Sequence, residues 1–195
     1  MLPTSLEVAH SLRGSWRLIG RGEKALEELD LSWSGFIKSY GAMLLTAPAL
    51  VALLAAQRLR SGMINESGLF DAPALAVQVI VVNVLSFGLI PALVLGLMWS
   101  VARSARGTSF VIAWNWAEVI VTLMLAVPAA LYAMGWAPPV QALMVTVAFS
   151  VLAARLRYAV ARTTLGCPAV LSAGIVALTF AVEIAAGWLF SIGRF

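Results

Sequence analysis

Charged residues are absent from long stretches of this chain. None occurs between Lys38 and Arg58, none between Asp71 and Arg103, and 119–154 is uncharged throughout. A helix needs roughly 20 apolar residues to cross the hydrocarbon core of a bilayer. The pattern predicts five such helices, over 36–56, 72–101, 110–134, 140–160 and 169–190. Five fit better than four because the uncharged run contains Gly135-Trp136-Ala137-Pro138-Pro139, where neighbouring prolines impose a turn. The fourth helix is expected to carry on into the basic stretch Arg155–Arg162, and Gly166-Cys167-Pro168 then breaks the chain.

Residues 1–35 are too charged to cross lipid. Leu6, Ala9, Leu12, Trp16 and Ile19 recur at three- and four-residue spacing, as does a basic stripe of Arg13, Arg17, Arg21 and Lys24. Such a helix could lie in the headgroup layer, with Trp16 inserted and Arg13, Arg17, Arg21 and Lys24 on anionic lipid. The plainer alternative is a short cap that sets topology. Gly14, Gly20 and Gly22 are expected to weaken the helix. Ser32 or Ser34 is placed to cap the first apolar helix.

Composition sharpens this picture. The chain is 62% hydrophobic and 11% charged, against about 25% charged for an ordinary soluble domain. The expected fold is an all-α integral membrane bundle of five transmembrane helices (36–190) preceded by an amphipathic N-terminal segment (1–35). No apolar run of signal-peptide length follows the first basic residues, so a removable leader is not expected. Nine basic residues fall on one side: Arg13, Arg17, Arg21, Lys24, Arg103, Arg106, Arg155, Arg157 and Arg162. Arg58, Arg60 and Arg194 fall on the other. The excess predicts a cytoplasmic N-terminus and a periplasmic C-terminus. Richness in Arg over Lys and in Ala suggests a GC-rich bacterium, hence an inner membrane. The Asn65-Glu66-Ser67 triplet has no meaning as a glycosylation site in that setting.

Two acids interrupt the apolar helices, and a charge at the bilayer centre costs about 2.5–3.5 kcal/mol on insertion scales. Glu118 shares a helix face with Asn115 and Thr122. Glu183 is flanked by Thr179 and Gly187 at four-residue spacing, with Gln78 and Asn83 of the second helix as candidate partners. A second face of the fifth helix carries Ala173, Ala177, Ala181 and Ala185, the small residues of close helix packing. Helix rise from the predicted boundaries sets the two acids about 10 Å apart in depth. One reading joins Asn83, Asn115, Glu118 and Glu183 into a proton or cation path. The other makes them separate buried contacts that hold helix registry. Pro48, Pro91 and Pro128 each fall inside a predicted helix.

Chemistry of other kinds is not expected. No phosphate-binding glycine loop, dinucleotide fingerprint or CxxC occurs, and His10 is the single histidine. Cys167 is expected to be a packing residue. No catalytic residue, cofactor or metal is expected, nor nucleic-acid binding, since the net charge of +4 is accounted for by the basic loops.

Trp16-Arg17-Leu18-Ile19, the Pro48 helix and the Gly135–Pro139 turn give the chain a layout that resembles the Yip1 family of small five-span membrane proteins. Asp30-Leu31-Ser32-Trp33-Ser34 departs from the Asp-Leu-Tyr-Gly-Pro-like stretch of the eukaryotic members. The resemblance implies a non-enzymatic protein working through helix contacts with lipids, a membrane-protein partner or a second copy of itself. The alternative is a small transporter or channel subunit moving protons or cations along Glu118, Asn83 and Glu183.

Overall fold

The computed structural model describes residues 3–60, 73–98 and 104–192. The Asn65-Glu66-Ser67 triplet, Asp71, Arg103, Arg194 and both ends of the predicted second helix (72 and 99–101) lie outside them. The described residues are mostly helical, with no strand among them. Helix α1 (Ser5–Arg21) passes into a tight 3-10 segment, Gly22–Glu28. Helices α2 (Trp33–Gly41) and α3 (Ala47–Arg60) are joined by a 3-10 turn over Ala42–Thr46. Helices α4 (Pro73–Val84) and α5 (Ile90–Leu97) are joined by a wide π-turn over Leu85–Leu89. Three long helices follow: α6 (Ala105–Ala133), α7 (Pro139–Leu165) and α8 (Ala169–Ile192).

Five stretches are long and apolar enough to cross a membrane: Trp33–Arg60, Leu75–Leu97, Ala105–Ala133, Pro139–Leu165 and Ala169–Leu189. Their order is the predicted one; the start of the first, the start of the third and the end of the fourth lie elsewhere. Ser32 is the cap of the first, its hydroxyl accepting from the Gly35 amide at 3.2 Å, so that helix starts at Trp33 rather than at 36. It also runs on to include Arg58, which is buried, and Arg60. Helix α6 begins at Ala105, because Arg106–Ser109, expected as loop, continues its first turns. Helix α7 extends to Leu165 and stops where Gly166 takes the left-handed conformation (φ 63°). A β-carbon on Gly166 would lie 2.9 Å from the Arg106 guanidinium, so the start of α6 and the end of α7 share one end of the bundle.

Helix α6 is the axis of the molecule. Every residue from 110 to 119 is buried, as expected of a helix apolar on all its faces. Helices α1, α3 and α7 pack around it. The outward faces of α7 and α8 are apolar, with Val140, Leu143, Met144, Val147, Val151, Val170 and Ile184 exposed.

Helix α1 docks on α6 and α7 through a face the apolar periodicity did not mark. Ser11, Gly14, Ser15 and Leu18 are buried, whereas Leu6 and Trp16 are exposed. Small residues win here because they let helix backbones approach. A β-carbon on Gly14 would meet the Glu28 side chain at 3.0 Å, so this glycine serves close packing instead of merely weakening the helix. Thr4 and Glu7 form a reciprocal capping box at the start of α1. Glu7 also pairs with Lys38 at 2.5 Å, pinning α1 to α2. Bonding to Lys38, and then to Thr4, lowers the Glu7 carboxyl to about 2.

Candidate functional site

The two buried acids meet through one arginine. Arg157 donates from Nε to Glu118 Oε1 at 2.6 Å and from Nη2 to Glu118 Oε2 at 2.8 Å. The same Nη2 donates to Glu183 Oε1 at 2.6 Å. The guanidinium also lies 5.7 Å from the centroid of Phe180, one turn before Glu183 on α8. Side-chain exposure is 3% for Arg157 and 1% for Glu118, but 26% for Glu183. A fork-to-carboxylate pair is the strong form of such a bond, and two acids with one base leave a net charge of −1.

The equal depth of the acids follows from the helix ends. At about 1.5 Å per residue, Glu118 stands about 20 Å from the Ala105 end and Glu183 about 21 Å from the Ala169 end. The expected offset of about 10 Å disappears because α6 starts five residues before 110. Arg157 was expected near the end of the fourth helix, among the basic residues that set topology. Its helix continues, and Arg157 is turned by about 200° from Arg155 on the same helix. Arg155 therefore faces outward, 5.6 Å from the Tyr158 ring, while Arg157 faces inward. Arg162 bonds the Cys167 carbonyl at 3.0 Å. The clue in the sequence was the acids themselves: two carboxylates buried among apolar helices require a cation.

A chain of local causes holds the second acid. Pro91 has no N–H. In the π-turn the Ile90 amide bonds back to the Leu85 carbonyl, and the next residue in that register, which would serve Ser86, is Pro91. The Ser86 carbonyl is thereby freed, and the Trp114 indole donates to it at 2.9 Å. The Ser86 hydroxyl lies 3.1 Å from the Val82 carbonyl and 3.4 Å from Glu183 Oε1.

These groups form the floor of a cavity of about 410 Å3. It runs from Glu118, Arg157 and Glu183 past Asn83, Thr122, Gln78 and Gln57 to Arg60, between walls that include Leu50, Leu53, Val79, Val82, Val121 and Leu125. Along α6 it extends from Glu118 to Ala129, about 16 Å. On the other side of the floor, Phe87, Phe110 and Trp114 are fully buried.

The remaining predicted residues are distributed. Asn83 lines the cavity and its Oδ1 lies 3.3 Å from the Thr46 hydroxyl. Gln78 accepts from Gln57 at 2.8 Å. Among the described residues Glu183 is bonded by Arg157 and Ser86. Asn115 donates to the Ser39 hydroxyl at 3.1 Å, beyond the floor, and is not part of the lining. In the N-terminal set, Arg17 pairs with Glu28, Arg21 lies 3.9 Å from the same carboxylate, and Arg13, Trp16 and Lys24 are exposed. Among the described residues no cluster of three His, Cys, Asp or Glu could hold a metal. The chain matches no family model, no curated protein and no solved structure.

Proposed function

We propose that the chain is a multi-pass integral membrane protein whose working centre is this cavity, and that it moves protons or cations using Glu118 and Glu183. The observation that carries the reading is the joint anchoring of both acids on Arg157 at the floor of one cavity. Acids that merely held registry would be expected in separate, dry contacts. Ionisable groups among membrane helices are costly and tend to mark ion and proton paths. The outward apolar faces of α7 and α8 suit contact with lipid tails. The basic excess supports a cytoplasmic N-terminus, with the cavity's Arg60 end towards the opposite side of the membrane. No enzymatic role is proposed.

The test is flux into liposomes. Wild type should carry protons or monovalent cations, and Glu118→Gln and Glu183→Gln should abolish that flux. Equal flux from all three proteins, or none from any, would overturn the reading.

One observation favours a second role through helix contacts, as the Yip1-like layout implies. Ala173, Ala177, Ala181 and Ala185 form a stripe on α8 that is exposed in the single chain. Small residues at four-residue spacing allow another helix to pack closely. Ala177→Leu should then reduce self-association, or capture of a membrane partner, on native gels; an unchanged pattern would count against it.

A further inference from the structure

Resting on the cation reading above, we propose that the cavity is a binding site for a small organic monoammonium cation. Its charged head sits at Glu183 and its hydrocarbon part lies between α3, α4 and α6.

Four features point to this class. The floor carries two carboxylates and one guanidinium, so it attracts one positive charge and repels an anion. The surplus is localised. Both oxygens of Glu118 are held by Arg157, whereas Glu183 gives Arg157 only Oε1 and is the acid left partly exposed. Hydroxyls and amides stand nearby for the hydrogens of an ammonium group, from Ser86, Asn83 and Thr122. The walls are aliphatic, through Leu50, Leu53, Val79, Val82, Val121 and Leu125. A bare metal ion gains nothing from such walls; a hard cation takes about six or more oxygen ligands. An alkyl chain does gain from them. The volume of about 410 Å3 falls in the range of small-molecule sites. The other cation in the lining, Arg60, is about 15 Å further along α3 from Leu50 and lies over the Tyr132 ring, so it does not neutralise the floor.

The incoming ammonium therefore competes with Arg157 for Glu183. Arg157 retains its two bonds to Glu118 and stays buried, so occupancy need not leave a cation unpaired. The full chain purified in detergent is titrated by calorimetry with methylammonium, butylammonium, sodium and butyrate. Butylammonium should bind, more tightly than methylammonium, with sodium and butyrate silent. Glu183→Gln should weaken it at least about tenfold. Leu125→Trp, which fills the cavity and leaves every ionised group in place, should do the same and guards against misfolding of the charge variant. Silence of butylammonium, binding of butyrate, or undiminished binding in Leu125→Trp would overturn the proposal. Glu-dependent proton flux in liposomes without ammonium binding removes this inference and leaves the transport reading. Ammonium binding without any flux does the reverse.

Discussion

Among the described residues two sets of ion pairs invite comparison, and they are built from the same residue types for opposite ends. The outer cluster joins Glu7 to Lys38 and Glu28 to Arg17 and Arg21, all partly open to solvent. The inner cluster joins Arg157 to Glu118 and Glu183 with almost no exposure of two of its three members. Outside, water already stabilises each charge, and a pair contributes about 0–1 kcal/mol. Inside, desolvation is several kcal/mol per ion, and only the mutual bonds offset it. A chain that needed stability alone would gain more from apolar side chains at 118, 157 and 183. The outer pairs orient a helix; the inner set maintains a charged surface where a purely structural core would have none.

The largest way to break this contrast is Arg157→Leu. It leaves two acids without their base and should cost about 3–5 kcal/mol, read as loss of thermal stability in detergent. The triple change Glu118→Leu, Arg157→Leu, Glu183→Leu should recover most of that loss while abolishing cation binding. An Arg157→Leu protein as stable as wild type would show that the inner set is no buried ion unit.

A smaller effect should come from the support under Glu183. Trp114→Phe removes the donor to the Ser86 carbonyl and should cost about 1–3 kcal/mol, the penalty of an unsatisfied buried group. Pro91→Ala restores a backbone N–H that can serve that carbonyl. In the double variant part of the loss should return, which a double-mutant cycle would measure. Additive losses would place the Trp114 contribution in packing alone.

The smallest effect belongs to the outer cluster. The Glu7 carboxyl is lowered from 4.5 to about 2 in the folded protein. Its contribution to docking α1 is therefore complete above about pH 4.5 and is lost as the pH falls towards 2. Amide exchange in α1 should accelerate over that window in wild type. In Glu7→Gln it should be fast already at neutral pH, with α6 unchanged in both. Exchange in α1 that ignores both pH and the substitution would mean that Ser11, Gly14, Ser15 and Leu18 hold it unaided.

Much of the architecture was legible because lipid-length apolar runs and prolines are local signals. The five apolar helices, the Gly135–Pro139 turn and the Ser32 cap follow from composition and spacing within a few residues of each other. Helix ends were less legible. Arg106–Ser109 read as loop, yet the third long apolar helix starts at Ala105, and the fourth, expected to carry on into the basic stretch after Arg155, runs to Leu165, because hydrogen bonding along a helix does not stop where hydropathy falls. Glu118 and Glu183 stood out as buried charges, but their pairing did not.

What the amino-acid order determined by itself was the set of helices and the presence of acids that cannot face hydrocarbon unaided. Arg157 became their partner only through tertiary structure. Five residues of unforeseen helix at the start of α6 brought the acids to one depth, and a 200° turn from Arg155 pointed the guanidinium inward. The buried face of α1 was likewise decided in three dimensions, since small residues earn no weight in a hydropathy pattern but set how closely two helices can approach. Sequence records which groups must find partners; packing geometry chooses the partner, because that choice depends on distances between segments far apart in the chain.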